Sequence, residues 1–138
     1  MSPSLEVLLL AASAAHLGFQ AVVTVVVYPA LASVRREDWS VAHEAHSRRI
    51  SLVVGPLYLA VAAACLATLL DGPSAAALVA VGGNALAALS TALVAAPTHG
   101  RLGSRGPEPA LLRTLRRADV VRTLGAAVAT VGALVALG

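Results

Sequence analysis

Four long apolar stretches, at about 8–31, 50–70, 75–97 and 120–137, alternate along the chain with short polar segments. Each is close to the ~20 residues that carry a helix across ~30 Å of hydrocarbon. A backbone facing lipid must satisfy its own hydrogen bonds, so the stretches read as transmembrane helices. Short connections between them predict a single all-α domain over 1–138, an integral membrane up-down-up-down four-helix bundle.

The polar segments supply the punctuation. Asp71-Gly72-Pro73-Ser74 predicts a tight turn, with Ser74 capping the third helix. Glu37 or Asp38 is placed to cap the second helix, and Trp39 suits an anchor at the membrane interface. Gly55-Pro56 predicts a kink inside the second span. Gly100 to Pro109 is expected to be the one flexible loop. Gly82-Gly83, Gly125 and Gly132, among many alanines, predict helices in close approach. The halves differ in loop length and polar positions, so no internal repeat is read.

Composition strengthens this picture: 58% of residues are hydrophobic and 12% charged, against about 25% charged in a soluble domain. An ordinary soluble enzyme and a disordered tail are excluded. The N-terminus lacks a basic n-region and does not read as a signal peptide. The ten basic residues are all arginines and fall in two windows, 35–49 and 101–122. With four spans both windows lie on one side, together with Glu37, Asp38, Glu44, Glu108 and Asp119; Glu6 and Asp71 lie on the other. The positive-inside rule then predicts a plasma (inner) membrane protein with segments 33–49 and 98–119 cytoplasmic and both termini extracytoplasmic. The pI near 10 marks topology, so the expected partners are membrane lipids and a hydrophobic small molecule. No nucleic acid is expected, and a homo-oligomer is left open. Cys65, alone inside the second span, reads as inert packing.

The polar residues inside the spans carry the candidate chemistry. Ser13, His16, Gln20, Thr24 and Tyr28 recur at helical spacing on one face of the first helix. That face must turn into the bundle, either as hydrogen-bonding glue or as the lining of a substrate- or cofactor-binding pocket. His43, His46 and Arg49 share a face at the start of the second helix. An i, i+3 histidine pair can hold a metal, although taken alone the segment reads first as interfacial, with solvated histidines and arginines at lipid phosphates. His99, after the third span, is expected at the same end, as are Asp119, Arg122 and Thr123 of the fourth helix. Asn84, Thr91 and Thr98 form a heptad-spaced polar line down the third helix. The candidate catalytic set is therefore His43, His46, His99, Arg49, Arg122 and Asp119, with His43, His46 and His99 as candidate metal ligands. The candidate binding set is His16, Gln20, Thr24, Tyr28, Asn84 and Thr91. Topology predicts that the four histidines converge, His16 deepest, where imidazoles serve as proton shuttles or ligands.

The pieces Gln20…Tyr28-Pro29, Trp39…His46…Arg49-Ile50…Pro56, Ser90-Thr91…Pro97…His99…Leu102 and Asp119-Val120-Val121-Arg122-Thr123 resemble, across nearly the whole chain, a bacterial family of small four-helix membrane proteins without assigned function. Where that family has Asn-Trp-x-Arg-Thr, this chain has Asp119 and Val120 in place of the Asn and Trp. More distantly, the layout is similar to the anthrone oxygenase family, which oxidises polycyclic aromatic polyketides. It also resembles the bacterial membrane protoporphyrinogen oxidase family in its early His16 and in Tyr28-Pro29-Ala30-Leu31. That second resemblance implies haem, but the lysine on which that family relies has no counterpart, since the chain contains none.

Together these readings predict a small membrane oxidoreductase or oxygenase acting on an apolar polyketide-, quinone- or terpenoid-like substrate. Haem, a transition metal and cofactor-free chemistry all remain open. The alternative is a non-enzymatic lipid-, haem- or partner-binding bundle, or a transporter subunit.

Overall fold

In the computed structural model, which describes residues Met1–Gly138, the chain forms four long helices and no strand. They are α1 (Pro3–Ala32), α2 (Trp39–Leu70), α3 (Ala75–Arg105) and α4 (Pro109–Ala136), each long and apolar enough to cross a membrane. Their outer faces carry exposed valines and leucines, such as Val25, Leu52, Leu59 and Leu93. An apolar exterior of this kind fits hydrocarbon surroundings.

The two ends of the bundle are fixed by different contacts. At one end Leu31, Trp39, Leu102, Leu111 and Leu115 pack in a single cluster, which brings the α1–α2 and α3–α4 connections together. At the other, the Ser2 backbone N–H donates to Asp71 Oδ2 at 2.8 Å, tying the start of α1 to the α2–α3 turn. In that turn Gly72 takes a φ of +75°. Ser74 caps α3 as the sequence predicts, its Oγ accepting from the Ala77 N–H at 3.2 Å.

Several local expectations are corrected. Residues 100–105 are helical, and the α3–α4 connection shrinks to 106–108, with Gly106 at φ +83° supplying the turn. The helix continues because Thr98 and Leu102, one turn apart, are both buried. Trp39 is not an interface anchor: it is 3% exposed, and its indole N–H donates to the Leu102 carbonyl at 2.9 Å. An indole needs a partner for its N–H when buried, and the end of α3 provides it. Asp38 occupies the N-cap position of α2, but its carboxylate accepts from Arg35 Nε at 3.0 Å instead of from a helix amide. Gly55-Pro56 does not end α2, which is helical from Trp39 to Leu70 with Pro56 inside it.

The irregular backbone lies elsewhere. α1 contains a π-helical segment at Val23–Val27, and α3 another at Thr91–Ala95. In each, the closing bond runs five residues back: Tyr28 N–H to Val23 O, and Ala96 N–H to Thr91 O. Each of these donors immediately precedes a proline, Pro29 or Pro97. A proline ring collides with the carbonyl four residues before it, and a widened turn moves that carbonyl aside while keeping the helix continuous.

The packing is uneven. α3 and α4 meet at backbone distance. A Cβ on Gly83 would stand 2.5 Å from Gly125 O and 2.7 Å from Ala129 N; one on Gly132 would stand 2.8 Å from Ala80 N. Gly82 has nothing within 4 Å of such a Cβ and takes no part in the seam. α2 is the loosest helix. Only 11% of its most apolar stretch is buried, against 44% for α4, and it packs mainly on α1, with little contact to α3.

Candidate functional site

The polar face of α1 turns inward and divides into two networks. The first lies at mid-bundle. Ser13, His16 and Gln20 are completely buried, and Asn84 of α3 is 1% exposed. Asn84 Nδ2 donates to Ser13 Oγ at 2.9 Å, and Asn84 Oδ1 pairs with His16 Nδ1 at 2.9 Å. An amide oxygen only accepts, so this pairing puts the imidazole proton on Nδ1. Thr130 of α4 closes the group, donating to the Ser13 carbonyl at 3.1 Å. Tyr58 of α2 packs edge-on against His16, ring centroids 5.1 Å apart, and its hydroxyl stands 2.6 Å from Thr91 Oγ1.

The second network begins one turn further along α1. Gln20 Nε2 donates to Asp119 Oδ1 at 3.4 Å, and Arg122 Nη2 donates to the same oxygen at 2.9 Å. Asp119 and Arg122, at i, i+3 on one face of α4, thus form an ion pair with both side chains less than a tenth exposed. Arg122 Nη2 also donates to Tyr28 Oη at 2.7 Å. Because the phenol oxygen accepts there, its own proton is free to be donated elsewhere. Thr24 bonds the Gln20 carbonyl and Thr123, but at the exposed edge of the bundle.

Three histidines gather next to this network. His99 Nδ1 and His43 Nε2 are 3.4 Å apart, and the rings of His46 and His99 are 5.8 Å apart, centroid to centroid. Trp39 stacks on His43 at 5.3 Å and so fixes its ring plane. The Tyr28 ring lies 6.2 Å from that of His99. His16 belongs to the other network, so three of the four predicted histidines come together and the deepest does not join them. Arg49 is exposed and lines a shallow outer depression with His46 and Val53.

A crevice of about 210 Å³ opens where α2 stands off from α3. Its polar lining is Tyr28, His46, Ser47, Ser51, Thr91, His99 and Arg122, and its apolar lining includes Phe19, Val23, Val27, Ile50 and Val54. Ser51 and Ala96 at its edge are exposed on the outer surface of the bundle. Both π-helical segments contribute, through Val23 and Val27 in α1 and Thr91 and Ala95 in α3. Such segments recur at functional sites because the widened turn re-aims side chains. Of the predicted residues, His43, Gln20 and Asn84 do not line the crevice, and Thr24 and Asp119 line a separate groove.

Tyr58, Phe19 and the two serines did not emerge from the sequence. Tyr58 carried one signal, a phenol hydroxyl inside an otherwise apolar span. Ser47 and Ser51 carried only a one-turn spacing.

Two cofactor readings can be set against these donors. No group of three or more His, Cys, Asp or Glu side chains is arranged to hold a metal ion; His43 and His99 present one facing pair of nitrogens. For the haem implied by the early histidine, His16 is fully buried between Asn84 and Tyr58 and does not line the crevice. Its Nε2 is left without a hydrogen-bond partner, but the nitrogen is enclosed by packed helices and His16 lines none of the larger cavities, so the residues here do not fit that group. No family model, curated protein or solved structure matches the chain.

Proposed function

We propose that the chain is a small integral membrane enzyme of the oxidoreductase or oxygenase type, acting on an apolar, membrane-soluble molecule that carries an acidic C–H or O–H. The observation that carries this reading is the crevice itself. It places two imidazoles, His46 and His99, and the Tyr28–Arg122 pair in the lining of a cavity that is otherwise mostly hydrocarbon. A mostly apolar molecule with an oxygen function matches that lining.

In this reading a neutral imidazole, His99 or His46, takes the substrate proton. The Tyr28 hydroxyl, held by Arg122, donates to the oxygen on which negative charge collects. Two electrons from the substrate carbanion reduce dioxygen as a new carbon–oxygen bond forms, and the resulting peroxide takes back the proton held by the imidazolium. Loss of water from that hydroperoxide, with the remaining C–H proton, leaves a carbonyl and carries away the second oxygen atom. His43 and Trp39 are positioning residues, holding the His99 ring. The more distant similarity to the anthrone oxygenase family points to the same substrate class. We place the protein in the plasma (inner) membrane as an up-down-up-down bundle with the arginine-bearing connections cytoplasmic and both termini outside, because all ten arginines lie in those two windows.

One observation favours a second reading, a non-enzymatic binding bundle: Arg122 is already neutralised by Asp119. The test separates the two. The protein purified in mild detergent is offered anthrone- and quinol-type compounds while dioxygen uptake is followed, and its absorption spectrum and metal content are recorded. Substrate-dependent uptake that is lost in His46→Ala and His99→Ala supports the enzyme. Saturable binding with no uptake supports the binding bundle. Full activity in both variants rules out the site. A haem band, or a stoichiometric metal lost with His43→Ala, would replace the cofactor-free step.

A further inference from the structure

A second concavity, of about 510 Å³, runs between the last turns of α1 and the first turns of α4. Its α1 side is Thr24, Tyr28, Pro29 and Leu31; its α4 side includes Leu112, Arg113, Leu115 and Arg116. It is separate from the crevice, and Tyr28 is the one residue lining both. Arg113 and Arg116 are exposed, and neither has a carboxylate within ion-pair distance. The carboxylate that does reach the groove, Asp119, is already bound by Arg122.

The order of residues along α4 says what such a groove fits. Arg113, Arg116, Val120 and Leu124 follow at spacings of three, four and four, so they make one stripe. Two cations lie toward the connection end, and Val120 and Leu124, 58% and 60% exposed, lie one and two turns further along the helix. A free phosphate ion would use only the upper half of this stripe. A peptide would find no backbone partners, since the helix amides are paired internally. An anionic headgroup with a hydrocarbon chain matches both halves.

We propose that the α1–α4 groove is a binding site for an anionic phospholipid. Its phosphodiester is held by Arg113 and Arg116, and one acyl chain runs along Val120 and Leu124. The guanidinium pair supplies the charge-assisted hydrogen bonds that a phosphodiester accepts. The one acid in the groove, Asp119, is held by Arg122, so Arg113 and Arg116 lack an ion-pair partner and a net-negative lipid is preferred to a zwitterionic one. This site does not depend on the reaction proposed for the crevice.

The full chain in detergent, titrated with phosphatidylglycerol and followed by native mass spectrometry, tests it. One tightly held phosphatidylglycerol per chain is expected, and phosphatidylcholine at the same concentration should not compete. Arg113→Gln with Arg116→Gln should weaken binding by about 30-fold, each basic side chain near a lipid headgroup contributing about fivefold. Arg101→Gln with Arg105→Gln removes the same charge from the end of α3 and should leave binding unchanged. Val120→Asp should also abolish retention by polarising the chain channel. All these positions are exposed, and an unchanged helical circular dichroism spectrum checks that each variant is folded. Equal weakening in both arginine pairs means diffuse attraction and overturns the site. Displacement of the lipid by millimolar inorganic phosphate, or full retention in Val120→Asp, reduces it to a simple anion site and overturns the lipid assignment.

Discussion

The α3–α4 seam and the side of the bundle formed by α2 solve the same problem with opposite materials. In the seam the side chains have been removed. Gly83, Gly125 and Gly132 let two backbones touch, and Ala80, Ala87, Ala126 and Ala129 are completely buried between the helices. On the α2 side the helices are held apart, the α1 and α3 backbones widen into π-turns, and polar side chains line the gap. In lipid there is little hydrophobic drive between helices, so close backbone packing is the main source of affinity between them. The seam can therefore hold the bundle together while the α2 side stays open for a ligand. The crevice tolerates loose packing because the seam does not need its help.

The seam should fail first and hardest. Gly83→Leu forces a Cβ to 2.5 Å from a backbone oxygen that has no side-chain freedom to yield. The loss should reach or exceed the ~3 kcal/mol at the upper end of ordinary overpacking, visible as loss of the folded species in detergent thermal unfolding. A Gly83→Leu protein with unchanged melting would mean that the seam is not what holds the bundle.

The Asp119–Arg122 pair joins the two regions, since it sits on the seam helix and reaches Tyr28 at the crevice. Asp119→Ala leaves Arg122 buried with only the Tyr28 oxygen as partner and strips Gln20 of its acceptor. Removing one partner of a buried pair costs about 3 kcal/mol or more, and the same thermal unfolding measures it. Asp119→Asn keeps the shape and an acceptor oxygen for both hydrogen bonds but not the charge, so it should recover only the part of the loss that those bonds carry. If both variants melted like the unsubstituted protein, the pair would not support the bundle.

These differences also explain what was legible in the sequence. The four spans, the Ser74 cap, the Asp71–Ser74 turn, the inward face of α1 and the Asp119–Arg122 pair are local patterns. Each is set by spacing within one helix or one turn, and the sequence displays spacing directly. The π-turns were not legible, although their cause, Pro29 and Pro97, was in plain view. Whether a proline kinks a helix, ends it or widens the turn before it depends on what packs around that turn. The glycines and prolines between Gly100 and Pro109 made that segment read as loop, whereas the burial of Thr98 and Leu102 carries the helix on to Arg105. Trp39 and Arg49 show the same gap. Their spacing fits an interface anchor and an inward site, but the rotation of α2 about its own axis buries one and exposes the other. The convergence of His43, His46 and His99 followed from topology alone; the separation of His16 depends on its bond to Asn84, a contact between helices 68 residues apart in the chain.

On the α2 side, variants should change function far more than stability. His46 and His99 are only partly buried, and neither holds up the seam. His46→Ala and His99→Ala should shift the unfolding midpoint little, within the ~0.5 kcal/mol of a surface change for His46. Either should lower turnover by the ~10²–10⁴-fold that a positioned acid or base contributes. Large destabilisation with retained activity would reverse the assignment and make the histidines structural.

The smallest effect provides the sharpest control on the comparison. Gly82 neighbours Gly83 in sequence, yet an added Cβ there meets nothing within 4 Å. Glycine in a helix interior costs about 1 kcal/mol relative to alanine through backbone entropy, and lipid around an exposed face adds no steric penalty. Gly82→Ala should therefore leave the unfolding midpoint unchanged or raise it slightly, while Gly83→Ala, one residue along and differing by the same methyl group, lowers it clearly. If both alanine variants behaved alike, helix propensity would explain the glycines, and close approach between α3 and α4 would not. If only Gly83→Ala destabilises, the rigid side of the bundle is defined by where a methyl group will not fit.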